Sequence, residues 1–242
     1  MTRTARKNNI PHHVEINGAP VSVEVRAHAR ARNYVIRLDP RSGAVVVVRP
    51  ARGSVKRALS FAREHRAWIA ARLAERPAPI PFEEGQIIPF RDTPHLIALC
   101  PQARRGVWRE TDDGMDRLCV SGLLEHGARR LTDWLKCQAR SDLTACAAHH
   151  AQVLGLPGGR IQIRDPFSRW GSCSSTGTLS FSWRLILAPP FVLDYVAAHE
   201  TAHLKHLNHG KRFWGLVDRL TPRRAQAENW LREQGPALHR YG

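Results

Sequence analysis

The sequence has no hydrophobic run long enough to cross a membrane. A transmembrane helix needs about 20 consecutive, mostly apolar residues, and every apolar run in this 242-residue chain is far shorter. The first residues, MTRTARKNNIPHH, carry charge but no apolar stretch follows them, so we expect no secretory signal there. The sequence therefore predicts a protein without a membrane partner.

Cysteine is scarce, and no two cysteines have the close spacing of a metal-binding or redox motif. The five cysteines stand at positions 100, 119, 137, 146 and 173, and no two of them form a C-x-x-C motif. A chain of this length buries a hydrophobic core without disulfide or metal staples. We therefore expect free thiols and a cytoplasmic protein.

Acidic residues are few compared with basic ones. The chain has 21 Asp and Glu against 37 Lys and Arg, a formal net charge of +16. Residues 1–76 hold 16 basic and 5 acidic residues, a net charge of +11. One interpretation of this basic N-terminal part is a nucleic-acid partner, and the other is a solvated basic surface with no dedicated partner.

The order of the predicted elements indicates an α+β fold. In the first half, Asn17-Gly18 marks a hairpin turn between alternating strands, and Ser54 can cap a helix that ends before Pro77. No internal repeat is visible, and further short strands are predicted over 87–90, 96–99, 106–109 and 118–120. The composition becomes helical near residue 123, so we predict a basic, β-rich subdomain over 1–122 and a second subdomain over 123–242.

The second subdomain is predicted to be mainly helical, with a short sheet. A long helix is expected over about 124–154, followed by strands over 160–164 and 178–184. Pro189-Pro190 then opens a helix predicted to run to about Leu207. Two shorter helices are predicted after it, near 211–220 and 222–234.

The helix after Pro190 contains the sequence His199-Glu200-Thr201-Ala202-His203. Histidines at positions i and i+4 lie on one helix face, so both imidazoles can reach the same ion. Glu200 follows the first histidine and can act as a general base on a water molecule activated by the metal. This spacing predicts a Zn²⁺ site and hydrolytic chemistry, and the alternative is a solvated His/Glu face.

Two histidines compete for the place of third ligand. His206 shares the helix face of the pair, but it lies about 10 Å along a straight helix from His199. Asn208 and Gly210 favour a helix end, after which the chain could return His209 to the metal. We therefore predict His209 as the third ligand, which leaves one coordination position open for water.

The stretch from Arg169 to Trp214 resembles the YgjP-like zinc metallopeptidases, which are related to the SprT-like and WLM proteases. It reads RWGSCSSTGTLSFSWRLILAPPFVLDYVAAHETAHLKHLNHGKRFW. The resemblance implies a zincin-like catalytic subdomain in which His199, His203 and His209 bind zinc and Glu200 is the catalytic base. Thr201 departs from the family, whose members usually carry an aliphatic residue at that position.

The resemblance also implies a role for the strand before the active-site helix. In related metallopeptidases such a strand lines the cleft, and an extended peptide can pair with its edge. Trp170 and Ser172 are therefore expected to bind substrate. Cys173 is a weaker candidate for the same role, since a small buried filler fits it better.

The predicted function is that of a zinc metallopeptidase acting on a peptide or protein substrate. Two alternatives remain open at this level. The same metal site could hydrolyse another bond, such as a nucleotide phosphoanhydride. The basic N-terminal part could also bind nucleic acid, which the link to WLM and SprT-like proteases makes compatible with proteolysis.

Overall fold

The computed structural model describes residues 12–39, 43–75 and 77–242, and the chain divides into two compact units after Pro77. The boundary that we predicted at 122/123 falls inside the second unit. The reason is that the strands of residues 87–121 share one hydrophobic core with the helices that follow them. The α+β class predicted from the sequence is confirmed.

The first unit is a four-stranded sheet covered by two helices. The sheet order is β1-β2-β4-β3, with β2 and β4 parallel and the other pairs antiparallel. Valines on alternate strand positions pack against the helices, as the period of two requires. The elements are β1 (His12–Ile16), β2 (Ala19–His28), β3 (Val35–Leu38), β4 (Val45–Pro50), α1 (Val55–Glu64) and α2 (Arg66–Ala74).

Two local predictions in this unit have different outcomes. The hairpin turn is confirmed, because Asn17 and Gly18 both adopt positive φ angles, 52° and 79°. Ser54 caps α1 as predicted, with its Oγ accepting a hydrogen bond from the Arg57 amide at 3.1 Å. The single helix expected up to Pro77 is wrong, since His65 leaves helical geometry and separates α1 from α2.

The second unit contains two sheets and the long helix α3. Its strands are β5 (Ile87–Phe90), β6 (Thr93–Cys100), β7 (Val107–Asp112), β8 (Met115–Ser121), β9 (Arg160–Arg164), β10 (Gly171–Cys173) and β11 (Thr178–Ser182). Its α-helices are α3 (Gly127–Val153), α4 (Pro190–Ala202), α5 (Lys211–Leu220) and α6 (Arg224–Glu233). Short 3₁₀ helices occupy Leu124–His126, Trp183–Leu187 and Gly235–Arg240.

The first sheet of this unit repeats the topology of the first unit. Its order is β5-β6-β8-β7, with the two central strands parallel and the outer pairs antiparallel. In each case a pair of hairpin-like segments is followed by a helix that packs on the sheet. The sequence shows no internal repeat, so the likeness lies in backbone topology alone.

The second sheet places β10 at an edge beside the helix that carries the histidines. Its order is β10-β11-β9, with β10 antiparallel and β9 parallel to β11. Our predicted strand over 178–184 is too long, because Trp183–Leu187 forms a buried 3₁₀ helix. The predicted helix to Leu207 is also too long, since α4 ends at Ala202.

No helix within residues 12–39, 43–75 and 77–242 is long and apolar enough to cross a membrane. The five cysteines, all within these ranges, are free thiols.

Candidate metal centre

Helix α4 is buried almost throughout; it carries His199, and His203 is the residue that caps its C-terminal end. Pro190 starts it, where a missing amide hydrogen costs nothing. Its apolar residues, among them Val192, Val196 and Ala197, lie in the core of the second unit. His199 and His203 are half-buried at its C-terminal end, one helical turn apart.

The chain then turns and returns the third histidine to the same place. Because α4 ends at Ala202, residues 203–210 form a loop that leads into α5. His209 lies in this loop, and its Nε2 is 3.1 Å from the Nε2 of His199. One nitrogen from each of His199, His203 and His209 lies within 4.8 Å of the others.

His203 is held in one tautomer by the loop. Its Nδ1 lies 3.0 Å from the backbone carbonyl oxygen of His206, which can only accept a hydrogen bond. Nδ1 therefore carries the proton, and the lone pair on Nε2 is free to bind a metal. His206 thus takes part through its backbone, and its imidazole does not join the cluster of three.

Aromatic rings from α5 pack against the three imidazoles. Phe213 is fully buried, and its ring centroid lies 4.5–5.0 Å from the centroids of His199, His203 and His209. Trp214 contacts the rings of His199 and His209 at 5.7 and 5.5 Å. These apolar contacts fix the ring planes and keep that side of the cluster dry.

A series of side-chain contacts links His199 to helix α6. The Tyr195 hydroxyl donates to Glu228 at 2.9 Å and lies 3.5 Å from Nδ1 of His199. Glu228 in turn accepts from Arg224, whose guanidinium lies 4.8 Å from the Trp214 ring centroid. A carboxylate linked to a metal-binding histidine in this way orients its ring.

Sequence reasoning missed this chain of contacts. Tyr195 stands four residues before His199, so the i, i+4 spacing on α4 could have revealed it. Glu228 and Arg224 belong to a helix more than 20 residues further on, and no local pattern connects them with His199.

Glu200 is buried between α4 and strand β10. Gly171 of β10 lies so close to it that a Cβ on Gly171 would stand 2.5 Å from the Glu200 Cγ and 2.6 Å from its Oε1. Only glycine fits this approach without displacing the carboxyl group. Burial raises the pKa of Glu200 to about 7, and the positive charge of Arg169 opposes the rise.

Burial also keeps His199 neutral. It lowers the pKa of this imidazole to about 4, and the neighbouring charges of His203 and His209 act in the same direction. Neutral imidazole is the form that binds a metal ion.

Of the residues predicted to bind substrate, Ser172 lies in β10 and Trp170 immediately precedes that strand. Gly171 and Cys173 face α4, whereas Ser172 faces the opposite side of the sheet, as strand alternation requires. Trp170 stacks on the His239 ring at 5.1 Å and packs against Gly235. Burial and the Glu200 charge raise the pKa of Cys173.

A family model described as YgjP-like, metallopeptidase domain matches residues 32–234, a range that includes every residue of this centre. Neither the curated proteins nor the solved structures contain a match to the chain. The family match confirms the resemblance seen in the sequence. The chain belongs to the YgjP-like family of metallopeptidases.

Proposed function

We propose that the protein is a zinc-dependent peptidase in which His199, His203 and His209 hold the ion and Glu200 is the general base. The observation that carries the proposal is the convergence of three imidazole nitrogens within 4.8 Å, at the end of a helix on which the residue after His199 is a buried glutamate. Partial burial of such a polar cluster costs free energy, because the groups lose solvation, unless a bound ligand compensates for that loss.

The donor set fits zinc. Nitrogens bound to a tetrahedral zinc ion at about 2.0–2.1 Å lie about 3.3–3.4 Å apart. The two Nε2 atoms of His199 and His209, at 3.1 Å, are already close to this spacing. Three imidazoles with no thiolate or further carboxylate in the cluster match the ligand set of a catalytic site with an open position.

When bound, zinc supplies the Lewis acidity that activates a water molecule and polarises the scissile carbonyl. The Glu200 carboxylate accepts a proton from the attacking water and later delivers it to the leaving amine. Gly171 holds that carboxylate in place by its close approach. Tyr195 and the His206 carbonyl keep the protons of His199 and His203 on the nitrogens that face away from the ion.

The edge of β10 is where we expect a peptide substrate to bind. Within the described residues, β10 pairs only with β11, so its outer edge offers free backbone groups next to Glu200. An extended peptide can add to such an edge as a further strand. Trp170 and Ser172, which flank Gly171, are the side chains expected to contact that peptide.

The test compares Glu200→Gln with the wild-type protein after both are stripped with chelator and reloaded with zinc. We expect the variant to retain about one zinc per chain and to lose at least a hundredfold of the activity on an unfolded protein. Glu233→Gln, a change on the exposed part of α6, is the matched control and should behave as wild type. Undiminished hydrolysis by Glu200→Gln would contradict the proposal.

The same assay tests which type of bond the protein cleaves, a peptide bond or a phosphoanhydride. Nucleoside triphosphates are offered to the zinc-loaded protein alongside the unfolded protein. We expect hydrolysis of the peptide bonds alone. Release of phosphate that depends on zinc and on Glu200, without any proteolysis, would support the phosphoanhydride alternative instead.

A further inference from the structure

A polar pocket of about 370 Å³ lies beside the proposed catalytic glutamate. It occupies the face of the β10-β11-β9 sheet that points away from the hydrophobic core. Gly171 lines the pocket and also abuts Glu200, so a single residue separates the two. We call this the polar pocket; its other lining residues are Gln162, Arg164, Asp165, Pro166, Arg169, Ser172 and Ser180.

The floor of the polar pocket is a row of hydrogen-bonding side chains. Ser172 pairs with Ser180 across β10 and β11, and Ser180 pairs with Gln162 across β11 and β9, so the three side chains share one face. Arg164 reaches over this row and donates to the Gln162 Oε1 at 2.6 Å. The floor thus combines hydroxyl, amide and guanidinium donors.

The charge of the polar pocket is positive. Its one carboxylate, Asp165, forms an ion pair with the buried Arg184 at 2.9 Å, so that pair is neutral overall. Within the described residues, Arg164 and Arg169 form no ion pair with a carboxylate. Two guanidinium groups beside free hydroxyls are the donors that recognise a carboxylate group.

The wall of the polar pocket is held rigidly. Arg184 donates to the carbonyl oxygens of Leu238 and Tyr241 as well as to Asp165, which anchors the start of the loop over 165–170. At the other end of this loop, the Ser182 amide donates to the Trp170 carbonyl at 2.8 Å. A wall fixed at both ends binds a ligand without first having to be ordered.

Strand alternation connects the polar pocket with the peptide. In a strand added at the edge of β10, the residue beside Gly171 would face α4, and the residue beside Ser172 would face the polar pocket. Because Gly171 abuts Glu200, both residues lie near the bond that is cleaved.

We infer that the polar pocket binds a carboxylate of the peptide substrate, located within about two residues of the cleaved bond, and so gives the peptidase a preference for acidic substrates. This inference rests on the proposed function. The carboxylate is that of an aspartate or glutamate side chain or of the peptide's C-terminus, and Arg164 and Arg169 provide its counter-charge.

The test uses a peptide that the wild-type protein cleaves, found by mapping its cuts in an unfolded protein. Blocked versions carry Glu or Gln in turn at each of the two positions on either side of the cut. We expect kcat/KM to be about fivefold higher for Glu than for Gln at one position. A second pair, ending near the cut with a free or amidated C-terminus, shows whether the chain end supplies the carboxylate.

In Arg164→Gln, kcat/KM for the Glu peptide should fall to about the value for the Gln peptide, so that the preference is lost. Arg160→Gln is the matched control, since Arg160 lies on the same strand and face but about 13 Å away and outside the polar pocket. Binding of fluorescent Glu and Gln peptides to zinc-loaded Glu200→Gln gives a readout that does not require turnover.

The outcomes distinguish a failure of this inference from a failure of the proposed function. Cleavage without a preference for a carboxylate, or a preference that survives Arg164→Gln, would overturn the inference and leave the proposed function standing. No cleavage of any peptide would overturn the proposed function, whereas the binding arm would still report on the polar pocket. Displacement of the peptides by an oligonucleotide, without any Glu/Gln difference, would also overturn the inference.

Discussion

At the scale of single residues, the candidate site depends on the spacing of its histidines along the chain and on the close approach of Glu200 to Gly171. The spacing of His199 and His203, with Glu200 between them, could be identified from the sequence because a helix fixes which residues share a face. His209 could be identified from the helix-ending residues around it. The position of Glu200 against Gly171 could not, since it depends on how β10 packs on α4.

Gly171 provides a test of that packing. In Gly171→Ala, the added methyl group would meet the Glu200 side chain at 2.5–2.6 Å, so the carboxyl group must move. We expect zinc binding to be retained and hydrolysis to fall about a hundredfold, because a displacement of about 1 Å can cost that much. Rates and zinc content are measured on the same preparations.

Gly158→Ala is the matched control for this change. A Cβ at Gly158 meets no atom within 4 Å, so the substitution should leave the rate unchanged. An active Gly171→Ala protein would show that the position of Glu200 does not limit the reaction.

At the scale of secondary-structure elements, most helices and strands of the second unit were predicted, and β5, β9 and α5 have the predicted bounds, but other ends were wrong. The helix expected to reach Leu207 ends at Ala202, and this early end frees the loop that carries His209. The strand expected to reach Arg184 ends at Ser182, because buried residues 183–187 pack as a 3₁₀ helix. Tertiary packing overrides local pattern at both places.

Helix α6 supports α4 through Tyr195 and Glu228. Tyr195→Phe keeps the ring and its packing but removes the hydroxyl between His199 and Glu228. We expect zinc affinity to fall about tenfold, which is the lower end of the usual effect, because the 3.5 Å contact is long. Competition with a chromophoric chelator measures this affinity.

Glu228→Gln should weaken zinc binding in the same direction, since a neutral amide is a poorer acceptor than a carboxylate. Glu233→Gln lies on the same helix but outside this hydrogen-bonded chain, and it serves as the control. Unchanged zinc affinity in both Tyr195→Phe and Glu228→Gln would show that α6 does not position His199.

At the scale of the whole molecule, the sequence correctly predicted the α+β class and misplaced the division into units. The boundary lies after Pro77 because the strands over 87–121 are built into the core of the second unit. The change of composition near residue 123 therefore marks a change of secondary structure within one unit. A shared core is a long-range property that no local window of sequence reveals.

The charge of the whole chain gives a prediction about nucleic acid. Residues 1–76 carry a net charge of +11; within this range, residues 1–11, 40–42 and 76 lie outside the described part. We expect non-specific binding to double-stranded DNA that weakens by more than about tenfold between 50 and 200 mM salt. Fluorescence anisotropy of a labelled duplex measures it.

Charge-reversal variants in each unit test which of the two units contributes more to DNA binding. Arg30→Glu with Arg32→Glu, in the first unit, should weaken DNA binding more than Arg104→Glu with Arg129→Glu in the second. All four arginines are exposed, so neither pair of changes should disturb the core. No binding at 50 mM salt would favour a basic surface without a nucleic-acid partner.

The central claim is that His199, His203 and His209 hold a zinc ion, and anomalous diffraction at the zinc absorption edge tests it most directly. Crystals of the zinc-loaded protein should show one strong peak, about 2.1 Å from a nitrogen of each of the three histidines. A peak held by other residues, or no peak at these histidines, would contradict the account.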